Sequence, residues 1–155
     1  MSTTVASQKT IVIVSGALFS PEGKVLLLRR ASEPGADAST HQWEMPGGEI
    51  EFGEAPEPGL VRCFAEATDI DISTDRPLGS WSAIENTGAV SLHIVHIDYT
   101  VKCAGALLGV QIDRARHAEF VWLNRAEALA KIHVPAERNS VDRAFNMLAR
   151  SRKNG

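Results

Sequence analysis

The 155-residue sequence contains only two cysteines, Cys63 and Cys103, and no CxxC spacing. This argues against a disulfide framework or a thiolate metal cage, and leaves two reduced thiols in a cytoplasmic protein as the expectation. No run of about 18 apolar residues is present, so no membrane span is expected. The lead-in MSTTVASQKT lacks the charged-then-apolar order of a secretory signal. Basic excess is missing as well: 16 Lys and Arg stand against 19 Asp and Glu, for a net charge of −3. Wholesale nucleic-acid binding, which needs a basic patch or stripe, is therefore not expected. A small phosphorylated ligand stays open, because it needs only local donors or a cation.

Repeats, low-complexity tracts and linkers are also missing. With 44% hydrophobic and 23% charged residues, the chain reads as one globular domain over residues 1–155. Its core is expected at about residues 10–150, with 1–9 and 151–155 as flexible ends. Residues 10–19 (TIVIVSGALF) and 25–28, joined by SPEGK, predict a β-hairpin. Residues 31–42 carry Pro34 and Gly35 and predict a loop. Gly47 and Gly48, following Pro46, are not expected inside any element. A helix is predicted over about residues 57–68, with Pro56 and Pro58 in or before its first turn. Strands follow at 77–84 and 89–102; the second is apolar on both faces and so reads as a central strand. EFVWL (119–123) predicts a further strand. Asn124, with Glu127 three residues on, caps the next helix. The last helix, about 135–150, carries Val141, Ala144, Phe145 and Leu148 at helical spacing.

Chemistry concentrates in residues 46–70, PGGEIEFGEAPEPGLVRCFAEATDI. A glycine-rich loop delivers Glu49, Glu51 and Glu54 ahead of a helix that bears Arg62 and Glu66. Four converging carboxylates are costly unless solvent, Arg62 or a hard divalent cation relieves them. Residue types alone leave a solvated acidic surface and a cation site as alternatives. His93 and His96 point to opposite strand faces and cannot form one metal pair. Trp43 and Trp81 could stack on a base, although packing is the commoner fate of such side chains.

The same stretch resembles the box of the Nudix hydrolases, GX5EX7REUXEEXGU, where U is bulky and apolar. Gly48, Glu54, Arg62, Phe64, Glu66 and Ile70 occupy matching positions. WEMPGG and the inner Glu51-Phe52-Gly53-Glu54 also fit the family pattern, as do LLLRR and HAEFVWL in the flanks. Three positions depart from it: Cys63 and Ala67 replace glutamates, and Asp69 replaces glycine. The resemblance implies an α/β Nudix fold, an α/β/α sandwich with a central mixed β-sheet. It implies hydrolysis of a pyrophosphate bond in a nucleoside diphosphate linked to a further group, dependent on Mg²⁺ or Mn²⁺ and weakened by the two lost glutamates. The implied metal ligands are Glu54, Glu66 and Glu51, enough for one cation. Asp69 is a minor candidate for a replacement ligand. Gly47, Gly48 and Arg30 are the implied phosphate-binding residues. The implied catalytic set is Glu66, Arg62 and Glu119, with Arg62 fixing a box glutamate and Glu119 serving as base in place of Cys63. Implied partners are a small phosphorylated metabolite and, since family members are frequently dimers, a second copy of the chain. The alternative is an inactive Nudix-like module that binds nucleotide or regulates.

Overall fold

A computed structural model describes residues 7–31, 42–107 and 109–154. Strand β1 (Ser7–Ala17) runs parallel to the long strand β6 (Val90–Cys103) and antiparallel to the short β4 (Gly47–Glu49). Strand β5 (Ile72–Asn86) closes the other edge, giving a four-stranded sheet of order β4-β1-β6-β5. β6 is flanked on both sides, as its two-faced apolar pattern predicts. A second, antiparallel sheet holds β3 (Trp43–Glu44), β2 (Val25–Arg30) and β7 (His117–Leu123), with β2 in the middle. The middle layer of the sandwich is thus two sheets.

The expected hairpin is correspondingly reduced. β1 and β2 share a bridge between Phe19 and Val25 and a bond from Leu26 N–H to Leu18 O (3.0 Å), then part into different sheets. β1 already begins at Ser7, where residues 7–9 pair with 90–92, so the ordered core starts earlier than residue 10. Likewise the last helix continues beyond residue 150, to Lys153. The loop expected at 31–42 falls almost wholly outside the described residues.

Helix α1 (Pro56–Thr68) packs Leu60, Cys63, Phe64 and Ala67 into one core with Val14, Leu26, Leu28, Tyr99 and Val101. Helices α2 (Arg125–Lys131) and α3 (Pro135–Lys153) build a second core with Val25, Leu27, Leu78 and Leu123. Alternation along β2 therefore sends Leu26, Leu28 and Arg30 toward α1 and Leu27 and Arg29 toward α2 and α3. Asn124 and Glu127 form the expected capping box, Glu127 N–H donating to Asn124 Oδ1 at 3.0 Å. Asp69 ends α1 in the left-handed conformation (φ 59°), its N–H donating to Ala65 O. That explains the family's glycine at this position: the role there is to stop the helix. Asp69 shares neither of the arginines that pair with Glu66 among the described residues.

Contrary to expectation, Gly47 and Gly48 lie in a strand. A Cβ on Gly47 would stand 1.9 Å from Val14 O, so β4 reaches β1 only because residue 47 has no side chain. Gly47→Ala should therefore cost ~3 kcal/mol or more, at the high end for a single substitution. Urea unfolding measures it, and a loss under about 1 kcal/mol would contradict this packing.

Candidate active site

The turn before α1 is tied by two bonds between Glu51 and Glu54: Glu51 N–H donates to Glu54 Oε1 and Glu54 N–H to Glu51 O, both at 3.0 Å. Arg62, two turns into the helix interior, reaches back to this turn. Its Nε donates to Glu54 Oε2 and its Nη2 to Glu54 Oε1, each at 2.8 Å, a bidentate clamp. Nη2 also donates to Glu49 O (3.1 Å), and Nη1 lies 3.2 Å from both Glu66 oxygens and 3.8 Å from Glu51 Oε1. One guanidinium thus gathers the three carboxylates predicted as metal ligands. The Arg62 hydrogen bond, helped by the Glu51 amide, holds the Glu54 carboxyl down at about 2. The Glu54 bond in turn pushes Arg62 up.

Beside this cluster opens a polar cleft of about 200 Å³. It brings together the predicted phosphate-binding residues Gly47, Gly48 and Arg30 with Ser15, Glu44, Glu49, Arg116 and His117. Arg30 donates to Glu44 Oε2 (2.9 Å), and Glu44 Oε1 lies 3.2 Å from His117 Nε2. Burial opposes the Glu44 charge, but contacts with His117 and Arg30 outweigh it and hold its pKa low. A larger cavity, about 480 Å³, lies between α3 and the ends of β5 and β6, and none of the box residues lines it.

Glu119 does not join the box. It pairs across the sheet with Arg29 (Nε–Oε1 2.9 Å). Arg29 and Glu119 sit on the α2 and α3 face of β2 and β7, with Val121 packed into that core. The base role expected for Glu119 is withdrawn on that geometry. Arg116 reaches the box instead, Nη1 lying 3.8 Å from Glu66 Oε2. Arg116 carried no local signal in the sequence, and Glu44 and His117 lay in the WEMPGG and HAEFVWL stretches without being marked as site residues; the pairing of β7 with β2 and the folding of the preceding segment place them here.

The two departures at 63 and 67 are core positions. Cys63 is 2% exposed and Ala67 fully buried. Burial pushes the Cys63 thiol up, against the pull of Arg62, so it is neither thiolate nor hard ligand. What remains is a set of hard oxygen donors. Glu66, Glu51 and Glu54 all approach the Arg62 guanidinium; Glu54 Oε1 already accepts from Arg62 and from Glu51 N–H, which leaves the freer lone pairs on Glu66 and Glu51. No three such side chains form a ready-made cage among the described residues. Of the histidines, His96 stacks on Trp81 (ring centroids 3.7 Å apart), and Trp81 Nε1–H donates to buried Asp98 (3.0 Å). Trp81 is thus a packed side chain.

Comparison with known proteins bears on the family and the fold. The model of the NUDIX domain matches residues 9–144. A MutT-like protein of Streptomyces ambofaciens is 32% identical over 116 residues, 75% of this chain, and the match spans 65% of that protein. An ADP-ribose pyrophosphatase of Methanocaldococcus jannaschii is 30% identical over 122 residues, 79% of this chain and 68% of that one. Among solved structures, a NUDIX hydrolase from Nitrosomonas europaea superposes with a TM-score of 0.70 over 89% of this chain and 90% of that chain, at 16% identity.

Proposed function

The chain belongs to the Nudix family, and on that premise we propose that it hydrolyses a phosphoanhydride bond in a small nucleoside diphosphate derivative, using one Mg²⁺ or Mn²⁺. The observation that carries this reading is Arg62 gathering Glu54, Glu66 and Glu51 beside a polar cleft, to whose lining the cluster is joined through Glu49 and Arg116. Family members generally use divalent metal ions. The relative named an ADP-ribose pyrophosphatase, 30% identical, supports the substrate class.

A bound cation supplies charge neutralisation on the phosphate oxygens. The chain's own residues do the rest. Glu66 and Glu51 present their oxygens near Arg62 Nη1, whose hydrogen bonds hold the Glu66 rotamer. Arg30, anchored by Glu44, bounds the far side of the cleft and favours negative charge there. Water attacks phosphorus, the bridging P–O bond breaks, and the bridging oxygen leaves with the second phosphoryl group. The proton released by that water passes to Glu49. This carboxylate lines the cleft and its side chain is in no ion pair among the described residues.

A panel of nucleoside diphosphate and triphosphate derivatives, assayed with Mg²⁺ and with Mn²⁺, is expected to give a phosphorylated product from at least one member. Glu66→Gln should lower kcat/KM by about a hundredfold, the scale of losing one pre-placed charge at the reacting group. Silence across the whole panel at every metal concentration would sink the hydrolase reading. The saturation of both Glu54 oxygens by Arg62 favours a second reading, a module that binds nucleotide without cleaving it. Affinity that survives both chelation and Glu66→Gln, with no product, marks that case.

A further inference from the structure

The segment between β6 and β7 is built against the C-terminal half of α1. Gln111 N–H donates to Thr68 O (2.9 Å) and Asp113 N–H to Ala67 O (3.4 Å), while Leu107, Val110 and Ile112 pack on the core that holds Cys63 and Ala67. This segment closes over the last turn of α1 at Ala67 and Thr68, while Cys63 faces β4, its Sγ 3.6 Å from Glu49 O. It then turns tightly on Asp113, which accepts from the N–H groups of Arg116 (3.0 Å) and His117 (2.8 Å) through its carbonyl and from Ala115 N–H through its carboxylate (3.1 Å). Arg116 O accepts from Ala31 N–H (2.9 Å). The backbone of Arg116 is therefore fixed on both sides.

Its guanidinium enters the cleft beside Gly48 and Cys63. The position of a Cβ on Gly48 is 3.0 Å from Cys63 Sγ and 3.5 Å from Arg116 Nη2. Arg62 and Arg30 commit their donors to carboxylates at 2.8–2.9 Å. Arg116 differs: among the described residues its guanidinium has one ion pair, the long 3.8 Å approach to Glu66, and donates no hydrogen bond within the protein. A half-exposed cation with five free N–H donors, held at the edge of a polar cleft, matches a phosphate group.

We propose that Arg116 binds the diphosphate of the substrate and stands, as a fixed positive charge, beside the position where the carboxylate lost at 63 would have supported a further cation. The proposal rests on the reading that this cleft takes a diphosphate. It makes part of the affinity independent of metal. Titration calorimetry with inorganic pyrophosphate, in EDTA and in Mg²⁺, tests it on the wild type, Arg116→Ala and Arg116→Lys. In EDTA the wild type is expected to bind, Arg116→Ala to bind about tenfold or more weakly, and Arg116→Lys to recover part of the loss, the scale of one charge-assisted contact. In Mg²⁺ the alanine variant should raise KM more than it lowers kcat. Two results overturn the assignment while leaving the hydrolase reading intact: wild-type binding that needs metal absolutely, or equal EDTA affinities for wild type and Arg116→Ala. Absence of pyrophosphate binding under both conditions, with a silent substrate panel, overturns both.

Discussion

Arg62→Lys is expected to lower kcat/KM by about a thousandfold, more than any single carboxylate substitution in the box. A lysine keeps the charge but is a single point donor, whereas Arg62 holds four groups at once: both Glu54 oxygens, both Glu66 oxygens, Glu49 O and, at longer range, Glu51. With lysine the Glu51–Glu54 turn and the Glu66 rotamer are no longer tied to the same plane. Misplacement of reacting groups by about 1 Å costs roughly a hundredfold, and here three carboxylates move together, so the loss exceeds that for Glu66→Gln alone. Stability should change less than activity, because lysine keeps the charge beside Glu54 and the outer pairs to Glu66 and Glu51 are exposed and contribute only about 0–1 kcal/mol each. Steady-state kinetics beside thermal unfolding separates the two effects. Retention of activity within threefold would mean that Arg62 does not organise the site.

How much of this was legible beforehand depends on the range of the interaction. Glu54, Arg62 and Glu66 are close in sequence, and helical spacing plus the box pattern placed them correctly. The central position of β6 and the Asn124 cap were readable for the same reason. β4 was not, because two glycines carry no strand propensity; what puts them in a sheet is the 1.9 Å approach that a Cβ would make to Val14 O. The β1–β2 hairpin failed at the level of partner choice, since local turn chemistry says nothing of the longer pairings with β6 and β7. Cys63 and Ala67 depart from the family pattern as missing carboxylates, but the burial of Cys63 against β4 and of Ala67 beside residues 111–113 needed the tertiary fold. Glu119 had the right residue type and the wrong face. Arg116, three positions earlier, stood on the segment that does arrive at the box.

The same limit hid Glu137, which sits in the first turn of α3 with only 8% of its surface exposed and accepts from Met45 N–H (2.9 Å). Glu44 and Asp98 act on it as further acids and Arg30 as a cation. Burial, then the neighbouring Glu44, pushes its pKa from the ordinary 4.5 to about 8. The folded state therefore keeps a proton that the unfolded chain gives up. Stabilisation from this group is full below about pH 4.5 and is lost as the pH rises toward 8. At 1.36 kcal/mol per unit, about three units of that window amount to ~4 kcal/mol. Asp98, also raised by burial, acts in the same direction. Glu137→Gln imitates the protonated form and can still accept from Met45. It should match the wild type near pH 5 and exceed its stability by ~4 kcal/mol near pH 8. Urea unfolding of both proteins at several pH values between 5 and 8 measures this. A difference that stays constant across the range would show that Glu137 holds no proton in the folded state.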